Sequence, residues 1–75
     1  MPTPKTIVAL RDYVVLMKST AIEYTVVARG ARVIGIKSGD TVIANTQGAI
    51  HRTVDGHEYL IVREQDIFGR VEATN

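Results

Sequence analysis

Few side chains in this sequence could do chemistry, and their spacing decides what they can do together. His51 and His57 lie close in the chain, with Glu58 beside the second, and imidazole with carboxylate is a ligand set that suits a transition metal. The residues between them set the geometry. Asp55-Gly56 separates two β-rich runs and favours a two-residue type I′ turn. That turn places Val54 opposite His57, Thr53 opposite Glu58, Arg52 opposite Tyr59 and His51 opposite Leu60. Side chains alternate faces along a strand, so the two imidazoles project from opposite sides of the ribbon. They read as surface or rim histidines, and no metal is expected; only a register slipped by one residue would bring them together.

The other reactive types are equally dispersed. Ser19 and Ser38 are the only serines. Both fall in turns far along the chain from either histidine, whereas nucleophilic catalysis needs an oriented base beside the hydroxyl. The 6 glycines are scattered and none forms a phosphate-cradling loop. Catalytic residues and cofactors are therefore expected to be none, and the chain is not expected to be an enzyme. Tyr13, Tyr24, Tyr59 and Phe68 are isolated from one another. Single-strand nucleic-acid binding needs a basic groove with stacked aromatic platforms, and Arg52 facing Tyr59 is the one cation–π pair the register suggests.

The elements that must hold these residues are short. A chain of 75 residues with no cysteine is a single domain over 1–75, with a small core and no disulfide to staple it. Burial between identical copies is the remaining common remedy, so a homo-oligomer is expected. Nine basic and eight acidic residues give a net charge of +1, spread along the chain, which supplies little long-range attraction for nucleic acid or an anionic membrane. The apolar run in residues 1–18 is broken by Arg11-Asp12, unlike a signal-peptide core, and no stretch reaches the roughly 18–20 apolar residues of a membrane span. A soluble protein without a readable address is the expectation.

Val, Ile, Thr and Tyr recur in short runs bounded by glycine or turn residues, which is a β pattern. Strands are expected over Thr6–Ala9, Tyr13–Lys18, Glu23–Ala28, Arg32–Lys37, Thr41–Ala44, Ala49–Val54, Glu58–Arg63 and Arg70–Glu72. Pro2 and Pro4 mark an extended N-terminal arm, and Glu64 to Phe68 has room for a single helical turn. No helix-length crossover exists, so the architecture is all-β, a barrel or sandwich. Leu60 and Val62 share one face of their strand and Tyr59 and Ile61 the other. Gly39-Asp40 makes a turn that launches Thr41–Ala44, Asp66 shapes a tight turn through nearby backbone N–H groups, and Ile67 or Phe68 plugs the barrel end.

Three blocks resemble GroES-type co-chaperonins. Leu10-Arg11-Asp12-Tyr13-Val14-Val15-Leu16 is similar to the family's "P-L-x-D-R-V-x-V", with Ala9 in place of the usual proline. Lys37-Ser38-Gly39-Asp40-Thr41-Val42-Ile43 is similar to "K-x-G-D-x-V". The run from Asp55 to Glu72, through Glu58-Tyr59-Leu60-Ile61 and Glu64-Gln65-Asp66-Ile67-Phe68, resembles the closing segment "G-x-E-Y-L-I-x-x-E-x-D-I-L-A-x-V/I-E". The resemblance implies a small GroES-like, partly open β-barrel that forms sevenfold rings. Terminal strands of adjacent subunits meet in such rings, which makes Ile7, Val8, Ala9, Leu10, Val71, Glu72 and Ala73 the implied subunit interface.

The family also carries a long, glycine-bearing loop after its first long strand, ending in a small apolar motif that docks on the chaperonin. Here that place holds Ser19-Thr20-Ala21-Ile22-Glu23-Tyr24, with Ala21 and Ile22 as the candidate partner contact. The family's roof hairpin also has no counterpart, since Val27-Ala28-Arg29-Gly30 runs almost directly into Val33-Ile34-Gly35-Ile36-Lys37. Three functions follow as expectations: a minimal, non-enzymatic co-chaperonin lid in the cytoplasm; a structural subunit reusing the barrel, such as a virion-associated capsid decoration or cement protein; and a small-barrel nucleic-acid binder. The partners implied are copies of itself and either a chaperonin or a viral capsid shell.

Overall fold

The computed structural model of the chain describes residues 7–72. Strands β1 (Tyr13–Lys18), β2 (Tyr24–Arg29), β3 (Thr41–Ala44), β4 (Ile50–Val54), β5 (His57–Arg63) and β6 (Ile67–Val71) follow one another, with a 3₁₀ turn at Glu64–Asp66 between the last two. They form one 6-stranded sheet in the order β4-β5-β1-β2-β3-β6, every pair antiparallel. The fold is all-β, and the sheet curls into a GroES-like, partly open barrel with β4 and β6 as its outer strands.

Two irregularities bend it. Val15 pairs with Ala28 and Leu16 with Val26, which leaves Val27 as an extra residue on β2. Ile43 pairs with Gly69 and Ala44 with Ile67, which leaves Phe68 without a partner on β6. An extra residue on one strand of a pair bends that strand and increases its twist. The sheet can thus wrap around a small core. That core holds Val14, Leu16, Val26, Val33, Val42 and Val62, with Tyr24, Ile36, Ala44, Ala49, Leu60 and Ile67 packed against it.

β1 lies inside the sheet and is covered on both faces. Val14 and Leu16 enter the core, while Val15, which points the other way, is still only 1% exposed. Its cover is the segment before β1, where Ile7 and Ala9 line the same apolar recess as Val15 and Ile61. Leu10–Tyr13 reverses the chain through a bond from the Tyr13 N–H to the Leu10 carbonyl at 3.0 Å, with Arg11 at φ 58.

The hairpin register is the one its turn residues predict: Val54 faces His57, Thr53 Glu58, Arg52 Tyr59 and His51 Leu60. Asp55 and Gly56 take φ 49 and 81, the positive values a type I′ turn requires. β1 and β3 also match their expected limits.

Three expected elements differ. Thr6 lies outside the described residues, and residues 7–10 form a covering arm rather than a strand. Residues 32–37 form no strand either. Gly35 sits at φ 86, which ends an extended run, and the Val33 N–H turns back to the Gly30 carbonyl. Finally, β6 starts at Ile67 rather than Arg70, because the 3₁₀ turn ends at Asp66.

Candidate assembly surface

The predicted interface residues occupy two places. In the arm, Ala9 is buried and Ile7 half-buried, whereas Val8 and Leu10 are 71% and 69% exposed. The alternation is that of an extended segment lying on a sheet, one side anchored and the other open. At the far end of the sheet, Val71 closes β6, pairs with Thr41 and remains partly exposed. Glu72 follows and forms an ion pair with Arg70; Ala73 lies outside the described residues. β6 bonds to β3 on one side. Its other edge has no strand partner among the described residues, and such an edge is a template for another chain.

Ala21 and Ile22 stand on the short β1–β2 connection, both exposed. The connection is closed on itself. The Ser19 and Thr20 N–H groups both donate to the Glu23 carbonyl at 3.0 and 3.1 Å, and the Thr20 hydroxyl oxygen accepts from the Glu23 N–H at 3.1 Å. The Ile22 N–H joins this set, donating to the same Thr20 oxygen at 3.4 Å, while its side chain is exposed and presents an apolar tip.

A second tip comes from residues 30–40. This segment has little regular backbone pairing, and long charged side chains hold it instead. Arg29 Nη1 donates to the Val33 carbonyl at 2.9 Å, Arg70 Nη1 to the Gly35 carbonyl at 3.2 Å, and the Ile34 N–H to Glu64 Oε2 at 2.9 Å. Asp40 accepts from the Lys37 N–H at 3.0 Å, while the Gly39 N–H donates to the Val26 carbonyl at 2.8 Å. The outcome is a pinned loop with Ile34 at its apex, 84% exposed.

The side chains that invited chemistry stay apart. In the observed register His51 and His57 fall on opposite faces of the β4–β5 ribbon, and among the described residues no three His, Cys, Asp or Glu side chains gather. His57 instead lies 6.4 Å from the Tyr59 ring. Arg52 does face Tyr59, but its guanidinium donates to the His51 carbonyl at 2.7 Å. The cation–π contact belongs to Arg63, 5.2 Å above the Tyr13 ring and hydrogen-bonded to the Tyr13 hydroxyl at 3.2 Å. That hydrogen bond, with electrostatic attraction to Tyr13 and Asp12, raises the Arg63 pKa above its usual value. No helix among the described residues is long and apolar enough to cross a membrane.

Sequence reasoning missed Phe68. Of the two residues expected to plug the barrel end, Ile67 packs on the core and Phe68 is 73% exposed. The signal was present in Ile67-Phe68-Gly69, since a glycine inside a strand pattern often marks a bulge.

The class these features define is a small, partly open all-β barrel with a strand edge that has no strand partner among the described residues and apolar side chains at its surface. The chain matches the family model "Chaperonin 10 Kd subunit" over residues 18–71, and it belongs to that family. It is 44% identical over 39 residues to the co-chaperonin GroES of Rhodothermus marinus, which covers 52% of this chain and 39% of that protein. The GroES of Myxococcus xanthus is 39% identical over 41 residues, 55% of this chain and 43% of the relative. The GroES of Thermodesulfovibrio yellowstonii is 44% identical over 48 residues, 64% and 54% respectively. The chain thus spans about half the length of the curated relatives it matches.

Proposed function

We propose that the chain is a co-chaperonin-type subunit that assembles with its own copies into a ring and covers the folding chamber of a chaperonin, with no catalytic step of its own. The observation that carries the reading is the family match over residues 18–71, which runs from the end of β1 to the end of β6. Assembly uses the arm residues Ile7, Val8, Ala9 and Leu10 of one copy and Val71, Glu72 and Ala73 of the next. It completes the β6 edge that has no strand partner among the described residues, and such an edge otherwise invites non-specific pairing. It also adds apolar burial that a chain this short lacks by itself. Ala21 and Ile22, on the β1–β2 turn, are the chaperonin contact, and the cytoplasm is the place of work.

A second reading, a structural assembly unit such as a capsid decoration protein, is favoured by one feature. The β1–β2 turn is short and closed by its own hydrogen bonds, at the place where the family resemblance implies a long docking loop that the sequence already lacks. Two measurements on the purified chain test both readings. Native mass spectrometry should give a multiple of the 8.2 kDa chain mass. Gel filtration with a chaperonin and ATP should show co-migration. An oligomer that never co-migrates leaves the structural reading; a monomer that never co-migrates removes both.

A further inference from the structure

Ile34 is the most exposed large apolar side chain among the described residues, 84% open at the apex of the 30–40 loop. A single isoleucine on a surface is ordinary. What sets this one apart is that three charged side chains hold the backbone beneath it. Arg29 donates to the Val33 carbonyl, Arg70 donates to the Gly35 carbonyl, and Glu64 accepts from the Ile34 N–H. Ile34 itself takes no part in the core cluster. The result is an apolar knob on a fixed loop, and a fixed loop pays little ordering entropy when it binds.

The charges beside the knob are not balanced. A recess of about 480 Å³ opens next to it, lined by Arg29, Lys37 and Arg70 together with Val33, Ile34 and Ile36, and by no acidic residue. The acids nearby are committed elsewhere. Asp40 accepts the Lys37 N–H and lies 3.9 Å from Arg70. Glu72 pairs with Arg70, and Glu64, which holds the Ile34 N–H, lines with Glu72 a second recess that shares Ile34 and Ile36. Arg70 is thereby neutralised. The side chains of Arg29, Arg32 and Lys37 have no carboxylate partner among the described residues, and Arg29 spends one N–H on Val33 while keeping the rest of its donors. We infer that this face docks an extended acidic peptide segment containing an apolar residue. The apolar side chain packs against Ile34 and Ile36 in the recess, and flanking carboxylates meet Arg29 and Lys37, the guanidinium fork being suited to a carboxylate. β2 begins just after the β1–β2 turn and ends at Arg29, so this face and the Ile22 tip lie at opposite ends of that strand. Neither the ring nor the chaperonin contact proposed above uses Arg29, Ile34 or Lys37, and failure here would leave both standing.

The probe is a fluorescein-labelled peptide with one leucine among aspartates and glutamates, added to the whole chain. Anisotropy should show saturable binding that weakens as salt rises. Amide chemical shifts should move in residues 29–37 and stay still at the β1–β2 turn. Lys37→Glu and Ile34→Ser change exposed side chains, so both should melt within a few degrees of the parent, yet each should weaken binding at least about tenfold. The same peptide with asparagine and glutamine in place of its acids should bind no better than it does to the variants. The inference is overturned if the acidic peptide does not bind, if the uncharged peptide binds as tightly, if either variant binds like the parent, or if the shifts fall outside this loop. A single-stranded oligonucleotide that binds these residues more tightly than the peptide would assign the basic recess to phosphate and overturn it as well.

Discussion

A Cβ built on Gly30 would fall 2.1 Å from the carbonyl oxygen of Arg11, so the start of the loop after β2 passes against the bare backbone of the turn before β1. Two hydrogen bonds fix the crossing: the Gly30 N–H donates to the Tyr13 carbonyl and the Arg32 N–H to the Arg11 carbonyl, both at 2.9 Å. Only glycine fits between them. Gly30→Ala should cost about 3 kcal/mol, the upper range for overpacking a rigid site. Gly69→Ala, which meets nothing within 4 Å, should change stability by no more than about 0.5 kcal/mol. Urea midpoints for the two variants check this, and equal losses would refute the close approach.

Gly56 tests the hairpin. Its φ of 81 lies where a side chain costs about 1–2 kcal/mol, so Gly56→Ala should strain the β4–β5 turn. Because β4 is an outer strand bonded to β5 alone, the loss should be local. Amide exchange should quicken across Ile50–Val54 and stay slow in β1. A uniform rise along the chain would mean that the hairpin and the barrel open together.

Glu64 tests the tethered loop. Its carboxylate accepts the Ile34 N–H, a bond worth about 1 kcal/mol net. Glu64→Ala should speed exchange of the Ile34 amide and expose the Ile34 tip to limited proteolysis, while Glu64→Gln, which keeps an acceptor oxygen, should restore most of the protection. Identical behaviour of the two variants would show that other contacts hold the loop.

The parts of this fold that were legible in the sequence are those fixed by local chemistry. Asp55-Gly56 dictated both turn and register, and Gly39-Asp40 dictated the entry to β3. The segment over 32–37 misled because Val33, Ile34 and Ile36 share the composition of a strand. Arg29, four residues before Val33, and Glu64 and Arg70, 30 and 35 residues beyond their partners, take the backbone groups a neighbouring strand would have taken. The arm was legible as extended but not as a cover for Val15, since β1 reads the same whether one face or both are buried. On the candidate surface, the arm and the β6 terminus were named from resemblance. Phe68 was not, because its exposure depends on a bulge that only strand pairing reveals.

Ile22 is the discriminating residue for a chaperonin partner. It is 68% exposed on a turn whose hydrogen bonds use backbone and Thr20 rather than its side chain. Ile22→Asp should leave the melting temperature within a few degrees of the parent. If the β1–β2 tip docks on a chaperonin, the same change should weaken co-migration at least about tenfold, a loss of roughly 1.4 kcal/mol. Unchanged binding would move the contact elsewhere on the barrel.

Val71 decides whether the β6 terminus joins copies. In the isolated chain its side chain is partly exposed and, among the described residues, β6 pairs with no strand but β3, so a carboxylate there meets water and the fold should tolerate it. Against a neighbour's apolar arm the same carboxylate would be buried without a partner, a penalty of several kcal/mol that association at this edge could not absorb. Val71→Asp should therefore stay soluble and keep the β circular-dichroism spectrum of the parent while its mass by light scattering falls to a smaller species. A variant that retains the parent's mass would place the assembly contact away from this strand. Loss of β signal together with mass would show instead that the edge is needed for folding itself.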